Sequence, residues 1–299
     1  MAVGAGELME VVAVSGALGA ELRGVDLRNL DDTAFAVVRR ALVEHEVVFV
    51  RDAFLTDEEH LALGARFGTI NIFPMSKLLG VTEPKLQVII DGPDSRPAAD
   101  DWHTDVTWIA TPPDISILRA TVIPERGGDT LWSSTTAAYE ALSPTTQAFV
   151  QGLMVRHDNT AFIRGMLSKM PHLDVPGGLP DQLRAAYPPV EHPLVRTHPE
   201  SGRQALFLGG DFMRSVVGMH PHESDALLGF LRRHSADARY VCRWRWRAGD
   251  VAIWDERSTN HRSAGDHFPQ NREVRRCETG GERPVFDATA IGWPRAFAS

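Results

Sequence analysis

The stretch Asp101-Trp102-His103-Thr104-Asp105-Val106-Thr107-Trp108 sets an imidazole and a carboxylate two residues apart within a run of β-favouring residues. On a strand that spacing puts both side chains on one face. Their Cβ atoms would sit roughly 6 to 7 Å apart, so both can bend onto one ion at about 2.0 to 2.2 Å. The run is therefore expected to be a strand carrying two ligands of a metal site. The same pattern recurs at His172-Leu173-Asp174 and His198-Pro199-Glu200. Prolines and glycines around the former, and the turn composition of His198-Pro199-Glu200-Ser201-Gly202, argue against a strand at either place.

A third ligand is available far downstream, in Trp254-Asp255-Glu256-Arg257-Ser258-Thr259-Asn260-His261. If the fold brings His261 beside His103 and Asp105, two imidazoles and one carboxylate form the facial set of non-haem Fe(II) oxygenases, with open positions left on the ion. Zinc would also accept this set. An open ferrous face needs a reductant, and a 2-oxo acid can chelate the ion and supply electrons. Its far carboxylate would need a guanidinium fork, and Arg272 and Arg276 lie on one face of a strand, offset by roughly 13 Å at the backbone, room for two anions. Thr130 can add a hydroxyl hydrogen bond.

The elements that must position these groups are legible in order. Residues 9 to 14 and 20 to 25 read as a hairpin. Asp31 opens an amphipathic helix through Ala34, Val37, Val38, Leu42 and Val43, Val47 to Val50 is a buried strand, and Thr56 with Glu59 forms a capping box for a second helix. Residues 69 to 85 are less regular. Strands follow at Leu86 to Ile90, Ile115 to Ile123 and Thr130 to Trp132, and residues 135 to 153 read as helix with a break at Ser143-Pro144. From about 159 to 190, five prolines and Gly177-Gly178 interrupt any period, so this segment is expected to be an irregular active-site lid. His192 to Thr197 and Gln204 to Leu208 form a hairpin, Glu223 to His234 a helix. Tyr240 to Trp246 alternates core and polar positions, and Val251 to Trp254 is a strand that delivers Asp255 to His261. Strands on both sides of a helix-bearing middle point to a mainly β protein with flanking helices, a jelly roll of cupin-like type.

With 299 residues, 43% of them hydrophobic, the chain can bury a full core, and it reads as one domain over residues 1–299. The net charge of -8 argues against nucleic acid or an anionic membrane as principal partner. A small-molecule substrate is the expected partner, and a homo-oligomer is left open. Two cysteines outside any C-x-x-C context indicate a reducing compartment, and no apolar run approaches the roughly 20 residues of a membrane span, so the cytoplasm is expected.

Trp102-His103-Thr104-Asp105-Val106-Thr107, Gly127-Gly128-Asp129-Thr130-Leu131-Trp132, Asp250-Val251-Ala252-Ile253-Trp254-Asp255, and His261 followed by Arg272 and Arg276 together resemble the taurine dioxygenase / TfdA family of Fe(II)- and 2-oxoglutarate-dependent dioxygenases. The resemblance runs in order from about residue 10 to 290. It implies a double-stranded β-helix, with His103, Asp105 and His261 holding iron and Thr130 and Arg272 holding the distal carboxylate of 2-oxoglutarate. By the same resemblance Arg276 would bind the anionic group of the substrate. The cofactors implied are Fe(II), 2-oxoglutarate as co-substrate and O2, with succinate and CO2 as co-products of C–H hydroxylation.

Three departures from the family bear on substrate. Glu256 stands where Asn is usual. Ala99 stands where the taurine enzyme has a substrate-contacting Asn, and the segment Asn71-Ile72-Phe73-Pro74 lacks its substrate-binding His. Taurine is therefore disfavoured, and a larger or more apolar substrate is expected, touched by Phe73 and by Phe162 of the lid. The substrate classes left open are alkyl sulfates or sulfonates, aryloxyalkanoates, phosphonates and a biosynthetic metabolite. Two other readings remain: a zinc-dependent hydrolase of cupin type, which has no need of Arg272 and Thr130, and a non-catalytic jelly-roll binding protein.

Overall fold

A computed structural model describes residues 9–97 and 101–294. Seven strands form the main sheet, in the spatial order Glu10–Ala13, Ala20–Arg23, Val47–Val50, Val251–Asp255, Ile115–Val122, Arg272–Thr279 and Gln87–Asp91. All neighbours are antiparallel except Ala20–Arg23 against Val47–Val50. Facing this sheet are three smaller ones, of which the sheet Val241–Trp244, Thr130–Ser134, Thr259–Ser263 carries the site. This is the jelly roll expected from the strand pattern.

The strand Val47–Val50 is apolar at every position because both faces of the main sheet are covered there. Val47 and Phe49 point into the sandwich, where they meet Trp132, Cys242 and Trp244, while Val48 and Val50 turn to the helices Asp32–His45 and Asp57–Phe67. Phe49 stacks on Trp244 at 4.1 Å between centroids and meets Trp132 edge-on at 5.3 Å. Burying one such ring stabilises the fold by about 2 to 3 kcal/mol. The helix Asp57–Phe67 begins with the expected capping box of Thr56 and Glu59. None of the described helices is long and apolar enough to cross a membrane.

Two expectations are corrected. The run 101–108 is not a strand: only His103 pairs, through one bridge to His261, and the chain then turns with Val106 at φ 51°. Side chains satisfy the backbone groups a ladder would have used. The Asp105 amide donates to Glu256 at 3.2 Å, and His192 Nε2 lies 2.9 and 3.0 Å from the carbonyl oxygens of Thr107 and Ile109.

The second correction concerns residues 159–190, which are not irregular. They fold as the helices Thr160–Lys169 and Leu179–Ala186 with a short 3-10 turn Pro171–Leu173 between them. Pro171 and Pro180 fall in the first turns of their helices, where the missing N–H costs nothing, so they start elements and do not break them. Pro74 likewise opens a short helix, Pro74–Leu78, within the otherwise less regular stretch 69–85.

Candidate active site

His103 and His261 are locked together through the backbone. The His103 amide donates to the His261 carbonyl at 3.1 Å, and the His261 amide donates back at 2.8 Å. The register of Thr259–Ser263 against Thr130–Ser134 puts His261 opposite Trp132. The turn after His103 then swings Asp105 across. Its carboxylate oxygens lie 3.6 Å from His103 Nε2 and 3.5 Å from His261 Nε2. Each residue has one ligand atom within 4.8 Å of the others.

That geometry fits a divalent cation. Cis ligands about 2.1 Å from an ion sit roughly 3 Å apart, so a small inward movement completes the set. The tautomer also fits. His103 Nδ1 is 2.7 Å from the Asp101 carbonyl, where it donates its proton, which leaves the Nε2 lone pair facing Asp105. The donor set is two imidazoles and one carboxylate with no thiolate, since both cysteines are buried elsewhere. The competing pairs form no such group: His172 sits in the 3-10 turn, and His198 is hydrogen-bonded to Asp255 at 2.9 Å.

Protonation states follow from burial and from the charges nearby. Burial pushes the Asp105 carboxyl up, but Arg276 and the two histidines outweigh it and hold the group well below the usual carboxylate range. Burial and His103 push His261 down to about 3, which keeps the imidazole neutral and ready to ligate. Glu256 is pushed well up by burial and by the charge of Asp105. It accepts from Ser116 Oγ and Trp254 Nε1, both at 2.7 Å, and its other oxygen is 3.9 Å from His261 Nδ1.

Thr130 and Arg272 meet as expected. Arg272 donates to the Gly128 carbonyl at 3.0 Å and to Thr130 Oγ1 at 3.5 Å, and Asp91 lies 3.6 Å from the same guanidinium. Trp246 Nε1 also donates to Thr130 Oγ1, at 2.9 Å, so the hydroxyl proton is free to serve an incoming anion. Gly128, at φ 73°, is needed here, because a Cβ would stand 3.1 Å from Arg272 Cδ.

One cavity of about 470 Å³ joins these groups, lined by His103, Asp105 and His261, by Thr130 and Arg272, and by Arg276. Its remaining wall is mostly apolar. Phe73 and Phe162 both line it, with rings 5.4 Å apart edge to face, and Phe162 stacks on Trp108 at 5.6 Å. Arg276 is less free than expected: it touches the Asp105 carboxylate, lies 3.1 Å from Glu278 and donates to Gln87 at 2.8 Å. Sequence reasoning missed Phe212, Lys169 and Gln87, which also line the cavity. Glu278 was legible, since it continues the alternation of 272, 274 and 276. Ala99 lies outside the described residues.

Across residues 10–278 the chain matches the family described as taurine catabolism dioxygenase TauD, TfdA family. An alpha-ketoglutarate-dependent sulfate ester dioxygenase of Pseudomonas putida is 37% identical over 282 residues, which span 93% of this chain and 91% of that protein. An alkylsulfatase of Acinetobacter baylyi is 34% identical over 282 residues, 92% of this chain and 86% of that one. The crystal structure of a taurine dioxygenase from Burkholderia xenovorans is similar with a TM-score of 0.75 at 36% identity, covering 97% of this chain and 98% of the other.

Proposed function

This chain belongs to the TauD, TfdA family, and from that membership we propose that it hydroxylates the carbon next to the sulfate oxygen of an alkyl sulfate. The enzyme is a 2-oxoglutarate-dependent dioxygenase that uses Fe(II), 2-oxoglutarate and O2. Bound Fe(II) with its co-substrate supplies the oxidising chemistry that replaces C–H by C–OH. Succinate and CO2 leave as co-products.

His103, Asp105 and His261 are the residues assigned to the ion, and Thr130 with Arg272 to the distal carboxylate of 2-oxoglutarate. A guanidinium backed by a free hydroxyl proton binds a carboxylate in two directions at once. Arg276 is assigned to the sulfate group. Phe73, Phe162 and Trp108 would cover the alkyl chain and exclude water from the reacting carbon. A hydroxyl added to the carbon that bears the sulfate oxygen makes a hemiacetal-type ester. Its O–H proton and C–O bond are lost together, giving an aldehyde and inorganic sulfate.

The observation that carries this reading is the coexistence, in one cavity, of the His103, Asp105, His261 set, the Arg272–Thr130 pair and a second arginine facing apolar walls. A zinc hydrolase would have no use for the Arg272–Thr130 pair. The helix Thr160–Lys169 contributes Phe162 and Lys169 to the wall, which supports a covering role for this segment.

The test has two stages. Anaerobic addition of Fe(II) and 2-oxoglutarate should produce a visible charge-transfer band, absent in His261→Ala. Admission of air with hexyl sulfate should then release succinate and sulfate in equal amounts. Succinate without sulfate release, or turnover of taurine in preference, would refute the substrate assignment.

A further inference from the structure

We propose that Glu278 decides which anions this site accepts, admitting singly charged sulfate esters and turning away doubly charged groups such as phosphate monoesters. The inference rests on the assignment of Arg276 to the substrate anion and adds a discriminating element to it.

The two-residue repeat of the strand Arg272–Thr279 puts residues 272, 274, 276 and 278 on one face. The first three line the cavity. Glu278 is next in the row, and its Oε1 lies 3.1 Å from a terminal nitrogen of Arg276. Glu278 is buried, with 7% of its surface exposed, and burial pushes its carboxyl up to about 7 against the pull of Arg276, so at pH 8 it carries a charge that water does little to screen. The same guanidinium touches the Asp105 carboxylate, and the Gln87 amide oxygen accepts from it at 2.8 Å.

The anion contact of the cavity is therefore a cation held between two carboxylates. With the Asp105 charge directed to the metal ion it would hold, the guanidinium still attracts one negative charge. A second charge on a ligand held by Arg276 is opposed by the Glu278 carboxylate, which lies 3.1 Å behind the same guanidinium in a poorly hydrated place. The chemistry of the two headgroups makes this a sharp filter. A sulfate monoester carries one charge, while a phosphate monoester loses its second proton near pH 6 and carries close to two at neutral pH.

A buried carboxylate with no partner but the arginine is also hard to explain as a stabilising device, because its desolvation opposes folding. As a repulsive element aimed at the wrong ligand it has a use. Glu273 and Arg275, which point to the opposite side of the strand and pair with each other at 3.2 Å, do not enter this balance.

The experiment compares hexyl sulfate with hexyl phosphate at pH 8, by calorimetry on the full chain loaded with Mn(II) and 2-oxoglutarate without oxygen. The wild type is expected to bind the sulfate at least about tenfold more tightly. Glu278→Gln keeps the size and the acceptor oxygen but removes the charge, and should narrow that ratio by about tenfold, chiefly by tightening the phosphate. Glu278→Asp, which keeps the charge, should preserve most of the discrimination. An unchanged ratio in Glu278→Gln overturns the proposal while leaving the sulfate assignment standing. Should that variant not fold, equal affinity of the wild type for both ligands overturns it instead. Binding of neither ligand by the wild type removes the anion assignment of Arg276 and this inference with it.

Discussion

The backbone amide of Asp105 donates to the side chain of Glu256 at 3.2 Å, so the residue that follows the Trp254-Asp255 pair in sequence holds in place a metal-type carboxylate from another part of the chain. The other partners of Glu256 are Ser116 and Trp254, both buried. Glu256→Ala would leave the Asp105 amide and two buried donors unpaired. Affinity for Mn(II) is expected to fall by about 10- to 100-fold, and the fold to lose about 2 to 4 kcal/mol. Glu256→Gln, which can still accept at one oxygen, should lose less of both. Metal titration followed by electron paramagnetic resonance, with denaturant melts beside it, separates the two effects. Equal metal affinity in Glu256→Ala and wild type would refute this positioning role.

The two arginines should separate cleanly. Arg272→Ala removes the guanidinium that meets Thr130 and lines the cavity, and should weaken 2-oxoglutarate by about 100-fold or more, while hexyl sulfate still binds. Arg276→Ala should do the reverse. It also frees the Asp105 carboxylate from its cation, so metal affinity should rise or hold, not fall. Equal loss of both ligands in each variant would mean the roles are wrongly divided. The charge-transfer band reports 2-oxoglutarate binding, and calorimetry reports the sulfate ester.

Much of this site was readable before the fold was known, for identifiable reasons. His103, Asp105 and His261 are residue types with few other uses in a cavity, and the alternation of Arg272 and Arg276 survives because the strand Arg272–Thr279 is long and paired on both sides. The conformation of 101–108 was not readable. Its β-favouring residues form a turn because Glu256 and His192, remote in sequence, bond to its backbone more effectively than a neighbouring strand. The helices of 159–190 were hidden by prolines that mark helix starts when followed by helix-forming residues and breaks when they are not, a difference that short segments do not reveal. Phe212 and Lys169 gave no local signal. Their approach to the cavity depends on where the flanking elements pack.

Acid should loosen the turn that carries Asp105. Burial pushes His192 down to about 4, against about 6.5 in an unfolded chain, while its ring holds the Thr107 and Ile109 carbonyls. The folded state therefore takes up a proton less readily than the unfolded one. The stability this represents is present in full above pH 6.5 and is lost as pH falls from about 6.5 to about 4, by about 3 kcal/mol. His60, also pushed down to about 4 by burial, adds a contribution of the same sign. Unfolding free energy measured by urea melts from pH 8 to pH 4 should decline across that window. His192→Gln retains an N–H donor without the titration and should make the slope shallower, the remainder coming from His60, His157 and His261, which burial also holds down. A slope identical to wild type would assign the effect to other groups.

Gly209 should tolerate no side chain, for a reason that ties the packing of one sheet to the metal-type turn. A Cβ at this position would stand 2.1 Å from Thr107 Oγ1 and 2.9 Å from the ring of His157. Neither neighbour can yield easily. Thr107 Oγ1 is bonded to His157 Nδ1 at 2.9 Å, and both residues are fully buried beside His192 and Phe207. Relief requires Thr107 to move, and Thr107 is two residues from Asp105, so the displacement passes into the cavity. Gly209→Ala is expected to destabilise the fold by about 1 to 3 kcal/mol and to weaken metal binding as well. Gly165, at an exposed position of the helix Thr160–Lys169 with open space around its Cβ position, is the control: Gly165→Ala should be neutral or slightly stabilising and leave metal binding unchanged. Thermal melts and Mn(II) titrations on the two variants decide it. Full metal affinity in a destabilised Gly209→Ala would show that the Asp105 turn is held independently of the packing beneath it.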